Sequence, residues 1–451
     1  MPRRRVAVVG MLNAGKTSLI TSLISHLKNH NPSKLDLELD PKNEPLNFEW
    51  HRDKSGERQY EQTLSQLRNG KWPDKSSTPS EYRFTVDHRS FYFARDLTIS
   101  DIPGERLSDL DIMINGNVFD WGIQIVNKLS RIPSIEPEFK AFRDLYHCKK
   151  VVNTDEESYF EKLKMAYRDC LTQMVLKKRF PLITPSSFFI DADGNAIPKG
   201  LDESGKIDWC KNDAILGLAN EKTVIPLPQT LRDTKIGKEL QQNFLQYKKE
   251  VVEPSLNSLI YAHDVIVLID VARILEEGPL WLDTICELLQ SLSKLLDPGN
   301  WFNRNIKWAW QTVMERIMPA EQQSRIHLLA SQIDRVHYDD RNNVKGLLKF
   351  IHDNSFSGFL LHSGKIEMDN IASIKSLDSS TAKHELYFSD DGKQINKVFE
   401  GLSCVPSEFP TNWKSKEYKF ADPKHPFLPT AGSLVPDHIN LNKIVNAILE
   451  W

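Results

Sequence analysis

The chain has 451 residues, 26% of them charged and 40% hydrophobic, and a formal net charge of −3. That length suits two or three domains of ordinary globular composition. The near-neutral balance excludes a broad basic field that would recruit nucleic acid or anionic lipid, and no apolar stretch approaches the roughly 20 residues of a membrane span. The cysteines, Cys148, Cys170, Cys210, Cys286 and Cys404, are scattered and form no CxxC pair. They argue against a disulfide framework or a zinc site and predict a reducing, cytoplasmic setting with no signal peptide.

Arg5–Val9 is a short β-branched run that predicts a buried strand. It enters Gly10-Met11-Leu12-Asn13-Ala14-Gly15-Lys16-Thr17, a complete GxxxxGKT loop, and Thr17–Leu27 follows with leucine and isoleucine at helical spacing. Strand, glycine loop and helix together make a phosphate cradle. The amides around Gly10, Asn13, Ala14 and Gly15, with those of Lys16, Thr17 and Ser18 at the helix start, face an anion. Lys16 is expected to reach the β- and γ-phosphates, and the Thr17 hydroxyl to hold Mg²⁺.

Residues 28–80 are polar and read as loop, apart from a helix at Glu57–Leu67. A long polar segment after such a helix is where nucleotide switches keep mobile elements. Thr78 stands in its proline-flanked end and is a candidate Mg²⁺ ligand when triphosphate is bound. Tyr82–Val86, Ser90–Phe93 and Leu97–Ser100 then read as strands of an antiparallel excursion that returns into the sheet. The last ends at Asp101-Ile102-Pro103-Gly104-Glu105, a DxxG at a strand's carboxyl end. Asp101 is expected in the Mg²⁺ shell, the Gly104 amide against the γ-phosphate, and Glu105 where it orients attacking water. Arg106 reads as a surface arginine.

From Asp109 the pattern turns helical, at Val118–Leu129, Glu138–Tyr146, Tyr159–Leu176 and Ile236–Leu259, with a hairpin around Ser187–Asn195. The sheet resumes at Asp264–Asp270, an unbroken apolar run, followed by an amphipathic helix over Leu280–Leu296 and a short strand at Ile326–Ala330. A helix at Asn343–His352, strands near Phe359–Leu361 and Asn370–Ser373, a hairpin over Glu385–Ile395 turning on Asp390–Gly392, and a helix at Leu441–Trp451 complete the chain. The predicted organisation is a nucleotide-binding domain in two parts, 1–108 and 261–377, split by a helical insertion at 109–260. An excursion at 378–432 and a terminal helix at 433–451 that returns to the core follow. The fold class is α/β: a P-loop NTPase with a mixed, mostly parallel sheet and a largely helical inserted domain.

Ser331-Gln332-Ile333-Asp334 stands where a guanine-nucleotide protein carries its base-reading NKxD or TKxD. One carboxylate there accepts both guanine N1–H and N2–H₂, which adenine does not offer, and Asp334 fits. Gln332 takes the place of the lysine whose stem packs across the base. Ala372-Ser373-Ile374-Lys375 would supply backbone at Ser373 and Ile374 to the guanine oxygen.

The order of these blocks resembles the YcjX family of stress-associated P-loop proteins over nearly the whole chain. The family's GLSRSGKT is GMLNAGKT here, and its DYPGE is Asp101–Glu105. Its YxxKVVxxF-like helix, DRQIVLVD strand and GP pair are Tyr247–Pro254, Asp264–Asp270 and Gly278-Pro279. Its ATKAD is Ala330–Asp334, its ASxxAT is Ala372–Leu377 and its PHIRLD is Pro436–Asn442. Gln332 departs from the motif lysine, Val265 from an arginine and Asn442 from an aspartate, and Asp437 is an insertion. The resemblance implies a GTP-binding domain with GTPase activity, GTP or GDP with Mg²⁺ as ligands, and a helical insertion that meets a protein partner. No nucleic-acid partner is expected. An ATPase on the same scaffold and a nucleotide-gated scaffold with little hydrolysis are the open alternatives.

Overall fold

The computed structural model describes residues 3–11, 13–30, 38–40, 45–73, 79–88, 95–131, 136–148, 156–176, 184–188, 217–218, 222–296, 324–356, 366–382, 385–388, 398–423, 425–426 and 435–450. The chain forms two compact units. The first comprises Met1–Ile102, Ser258–Leu282 and Met314–Trp451, and the second Pro103–Asn257 and Asp283–Val313.

In chain order, β1 (Arg3–Gly10), α1 (Lys16–Lys28), β2 (Pro45–Trp50), α2 (Ser55–Arg68), β3 (Ser80–His88) and β4 (Arg95–Asp101) come first. A 3₁₀ turn over Gly104–Asp109 then leads to α3 (Leu110–Ile114), α4 (Val118–Ser130), α5 (Glu136–Tyr146) and α6 (Glu156–Leu176). Two-residue strands β5 (Gly217–Leu218) and β6 (Lys222–Thr223) precede α7 (Lys235–Tyr247) and α8 (Glu253–Ile260). A π-turn at Lys248–Val252 joins these last helices, just ahead of Pro254, whose missing N–H breaks the regular ladder. There follow β7 (Asp264–Ile269), α9 (Val271–Glu277), α10 (Pro279–Leu296), β8 (Arg325–Ala330), a helix over Arg341–Ser355 and β9 (Ile366–Asn370). The chain ends with β10 (Leu377–Ser379), β11 (Leu386–Phe388), β12 (Val398–Phe399) and a helix over Leu441–Leu449.

The first unit is built on a seven-stranded sheet in the order β2-β3-β4-β1-β7-β8-β9. β4, β1, β7, β8 and β9 run parallel, and β3 is antiparallel to both β2 and β4. The fold is thus α/β with a mostly parallel sheet, as the sequence predicts, and the antiparallel excursion is β3. β1, β7 and β8 are buried almost throughout, which is why they read as continuous apolar runs. Register places Val8 beside Asp101, Gly10 beside Leu268, and Ile269 beside Ala330. The loops that leave these strands therefore gather at one edge, where open α/β sheets hold their ligands.

Several elements depart from expectation. β2 lies in the segment read as loop; Phe48 and Trp50 alternate on one side and meet Phe84 and Tyr60, with ring centroids 4.6 and 5.6 Å apart. The strand expected at Asn370–Ser373 is instead Ile366–Asn370, and Ala372 lies beyond it, bridged to Ile439. Short helices α3 and α9 and strand β10 are additional. The strands expected at Ser90–Phe93 and Phe359–Leu361 and the turn at Asp390–Gly392 lie outside the described residues. So do residues 189–195 of the expected Ser187–Asn195 hairpin, whose start is a 3₁₀ turn at Ser186–Phe188.

α1 packs into the sheet's main apolar cluster with Leu19, Ile20, Leu23, Ile24 and Leu27, and the C-terminal helix adds Leu441, Ile444, Val445, Ile448 and Leu449. His26 sits in α1, 3% exposed. Its Nε2 is 3.2 Å from the Pro436 carbonyl and its ring meets His438 edge-on at 4.8 Å. Burial, with His438 and His30 nearby, lowers its pKa from 6.5 to about 3. The folded pKa lies below the unfolded value, so the unfolded chain takes up a proton that the folded chain refuses. Stability is full above about pH 6.5 and falls on acidification toward about pH 3, by on the order of 5 kcal/mol. Urea unfolding at a series of pH values should show a flatter acid limb in His26→Gln; an unchanged limb refutes the assignment.

The second unit has an aromatic core in which Trp121 meets Phe244 at 5.6 Å and Phe142 meets Tyr167 at 4.7 Å. At its start Asp109, fully buried, accepts from the Ser186 amide (2.7 Å), the Ser186 hydroxyl (2.6 Å), Thr184 Oγ1 (3.1 Å) and Tyr247 Oη (2.8 Å). Burial raises its pKa against these donors and the nearby Arg106.

Candidate functional site

The GxxxxGKT loop turns on two left-handed residues, Asn13 (φ 64°) and Gly15 (φ 87°). Gly10 is needed for close approach: a Cβ there would stand 2.8 Å from the Leu268 carbonyl oxygen. Gly15 gives α1 no side-chain cap, and the first turn holds no acid. The amides that open α1 therefore face the loop with the positive end of the helix dipole behind them. Lys16 folds back, its Nζ donating to the carbonyls of Gly10 (3.0 Å) and Met11 (3.3 Å). Ala14 and Ser18 are buried against the loop's base.

Thr17 Oγ1 donates to Asp101 Oδ2 at 2.9 Å. β1 and β4 are neighbours in the sheet, so the first position after Lys16 and the end of β4 meet. A hydroxyl and a carboxylate side by side are hard oxygen donors that suit Mg²⁺. Gly104 and Glu105 open the 3₁₀ turn of the second unit, where Glu105 is half-buried. Arg106, read as a surface residue, is instead 4% exposed and donates to Ser186 Oγ at 2.8 Å. Burial of the turn around Asp109 draws it inward. Thr78 lies outside the described residues, as does Leu12.

At the end of β8 the Ser331 amide bonds the Ile269 carbonyl (2.9 Å), and Gln332 takes the left-handed conformation with φ 55°. Gln332 Nε2 donates to the Asn13 carbonyl at 2.6 Å. Two left-handed residues, one in the glycine loop and one after β8, are thus joined by one hydrogen bond. Asp334 is 4% exposed and its Oδ2 accepts the Ser376 amide at 2.9 Å. Burial raises its pKa in spite of that bond. The 372–376 turn is also held from α1, through Ser22 Oγ to the Ser373 carbonyl at 2.6 Å. Ile374 is buried. The Lys375 amide bonds the Asp437 carbonyl at 2.7 Å.

Within the first unit the structure therefore brings together Lys16, Thr17, Asp101, Gln332, Asp334 and the Ser373–Ile374 turn. Sequence reasoning missed Arg335, which ties this turn to its surroundings; its only sequence signal is its place directly after Asp334. Among the described residues Cys148, Cys170, Cys286 and Cys404 form no disulfide. Also among the described residues, no helix is long and apolar enough to cross a membrane.

A strand, a GxxxxGKT loop and a helix on a mostly parallel sheet, with a DxxG strand alongside, define a P-loop NTPase fold. The chain belongs to the YcjX-like family, DUF463, whose model matches residues 4–450. It is 22% identical to a Ras-like GTPase YcjX of Shewanella oneidensis, over 99% of this chain and 93% of that protein. The resemblance carried by the motifs is that family.

Proposed function

We propose that this chain is a Mg²⁺-dependent GTP-binding protein that hydrolyses GTP to GDP and phosphate, slowly and as a switch. The observation that carries this is the Gln332–Asn13 bond, which fastens the base-reading turn to the phosphate loop at 2.6 Å. A carboxylate at the same turn, Asp334, is the group that accepts from guanine N1–H and N2–H₂. The S. oneidensis relative's name, Ras-like GTPase, supports the same reading.

Thr17 and Asp101 would hold Mg²⁺, which when bound neutralises charge on the β- and γ-phosphates. The α1 amides and Lys16 act on the same charge, and Lys16 exchanges its contacts to Gly10 and Met11 for phosphate oxygens. Glu105 would orient the attacking water, and Thr78 would join the residues that hold Mg²⁺ when triphosphate is bound. A carboxylate beside the γ-phosphate repels it, which makes turnover slow. The chain runs from Asp101 directly into Gly104–Asp109, and Asp109 is fixed by Ser186 and Tyr247. A shift at the DxxG segment thus travels along the backbone into the helical unit, where a protein partner reads it.

The test is titration of nucleotide-stripped protein with GDP, GTP, ADP and ATP in Mg²⁺, with phosphate release followed in the same samples. Guanine preference is expected, with release lost in Lys16→Ala by about 10²-fold or more, the scale of removing one charged transition-state contact. Adenine preference overturns the base assignment, and tight guanine binding without release overturns the hydrolytic one.

A further inference from the structure

Arg335 follows the base-reading aspartate directly and is 7% exposed. Its guanidinium is fully engaged. Nη1 donates to Asp270 Oδ2 (3.0 Å), Nη2 to Glu276 Oε2 (2.9 Å) and Nε to the Ala421 carbonyl (2.7 Å). Asp270 follows β7 and caps α9, accepting the Arg273 amide at 3.0 Å. β7 is the strand beside the phosphate loop's own β1. One side chain therefore fixes the base turn to the neighbour of the phosphate strand.

The third partner, Ala421, belongs to a segment held along α9. Glu276 Oε1 accepts the Phe420 amide at 3.0 Å, and its carbonyl accepts the Lys416 amide at 2.6 Å. Trp413 Nε1 donates to the Leu275 carbonyl at 3.1 Å. Gly278, at φ +97°, lets this segment come close, since a Cβ there would stand 3.2 Å from the Ser415 amide nitrogen.

The same segment then reaches the chain that leaves α2. The Pro423 carbonyl accepts Trp72 Nε1 at 2.8 Å, and His425 Nδ1 lies 3.0 Å from the Gly70 carbonyl. Gly70–Trp72 is the end of the chain leading out of α2, and it continues into the stretch that carries Thr78. Residues 413–423, with His425, thus form a strap that starts on α9 at Trp413 and near its end is held by Arg335 at Ala421 and by Trp72 at Pro423, all within the first unit.

We propose that Arg335 is a positioning residue for nucleotide retention, and that the strap couples the base-reading turn to its anchor at Gly70–Trp72, so that loosening this anchor speeds nucleotide release. This rests on the guanine-nucleotide reading above. Physically, the planar fork holds three acceptors at once, at the two ends of α9 and on the strap, which an ammonium does not reproduce. Arg335 and Trp72 hold carbonyls two residues apart, Ala421 and Pro423, so loosening either contact loosens the other.

The test is release of N-methylanthraniloyl-GDP from the full chain, chased with excess GDP, for wild type, Trp72→Phe, Arg335→Lys and the double variant. Trp72→Phe keeps an aromatic body and removes only the Nε1 donor. It should speed release roughly 3- to 10-fold, the scale of one hydrogen bond, although Trp72 bonds the strap and not the base-reading turn. Arg335→Lys should speed release at least as much. The double variant should fall short of the product of the two, because both free one strap. Release within twofold of wild type in Trp72→Phe overturns the coupling, and so does full multiplication of the two effects. A merely structural role would lower the urea midpoint and leave native-state release untouched. Wild type that retains labelled ADP but not labelled GDP overturns the guanine reading itself, a result visible before any variant is compared.

Discussion

Replacing Asp264 with alanine is expected to destabilise the protein by about 3–5 kcal/mol, the range for removing one partner of a buried ion pair. Asp264 opens β7 and is 0% exposed. Arg4 from β1 donates to it at 2.5 Å and Arg325 from β8 at 2.9 Å, and His327 Nε2 lies at 3.0 Å. Without the carboxylate, buried Arg4 loses its ion-pair partner. The consequence extends to the chain's end. The C-terminal helix finishes with carbonyls that have no partners within the helix. Arg4 Nη1 takes Glu450 (2.6 Å), Arg325 takes Ala447 and Arg95 Nη1 takes Leu449 (3.3 Å). Asp264 orients two of these three arginines at the negative end of that helix dipole. Asp264→Asn keeps the shape and one acceptor and should lose less than the alanine. Equilibrium urea unfolding measures both; a loss under about 1 kcal/mol in the alanine variant would show that the cluster is replaceable packing.

The phosphate loop and the central strands were legible because their signals are local. Glycine spacing, an unbroken apolar run at Asp264–Ile269 and leucine periodicity in α1 each fit within one element. β2 was hidden for the opposite reason. Its six residues carry a proline, an asparagine and a glutamate, and only pairing with β3 shows that Phe48 and Trp50 share a face. β9 was displaced in the reading because it is the edge strand. Residues such as Glu367 and Asp369 make it polar, whereas the apolar Ile371 and Ala372 are buried in the turn that follows. At the site, Asp334 was legible as a carboxylate at a strand end. The Gln332–Asn13 bond was not, since it joins residues 319 apart through two left-handed backbones. Arg106 and Arg335 look like ordinary surface arginines in one dimension; their burial is set by Ser186 in one case and by Asp270 and Glu276 in the other.

Asp334→Asn is expected to weaken GTP and GDP binding by about 10²- to 10⁴-fold, from two hydrogen bonds to a charged acceptor at about 1.5–3 kcal/mol each. The variant should bind xanthine nucleotides in their place, because the asparagine amide donates to the 2-oxo group where guanine presents an amino group. Folding should be spared: asparagine has the same shape, and its carbonyl oxygen still accepts the Ser376 amide that Asp334 Oδ2 takes at 2.9 Å. Loss of affinity with an unchanged urea midpoint therefore separates base reading from structural support. The pH dependence adds a second sign. Burial raises the Asp334 pKa, so its carboxylate takes up a proton at higher pH than an exposed aspartate. Guanine needs the ionised form, so wild-type GDP affinity should fall on acidification starting above the usual carboxylate range, and the asparagine variant should lack that limb. GTP affinity equal to wild type in Asp334→Asn would reduce Ser331–Asp334 to a strand-end turn. Gln332 would then serve only to brace the phosphate loop, and base selection would have to come from elsewhere on the first unit.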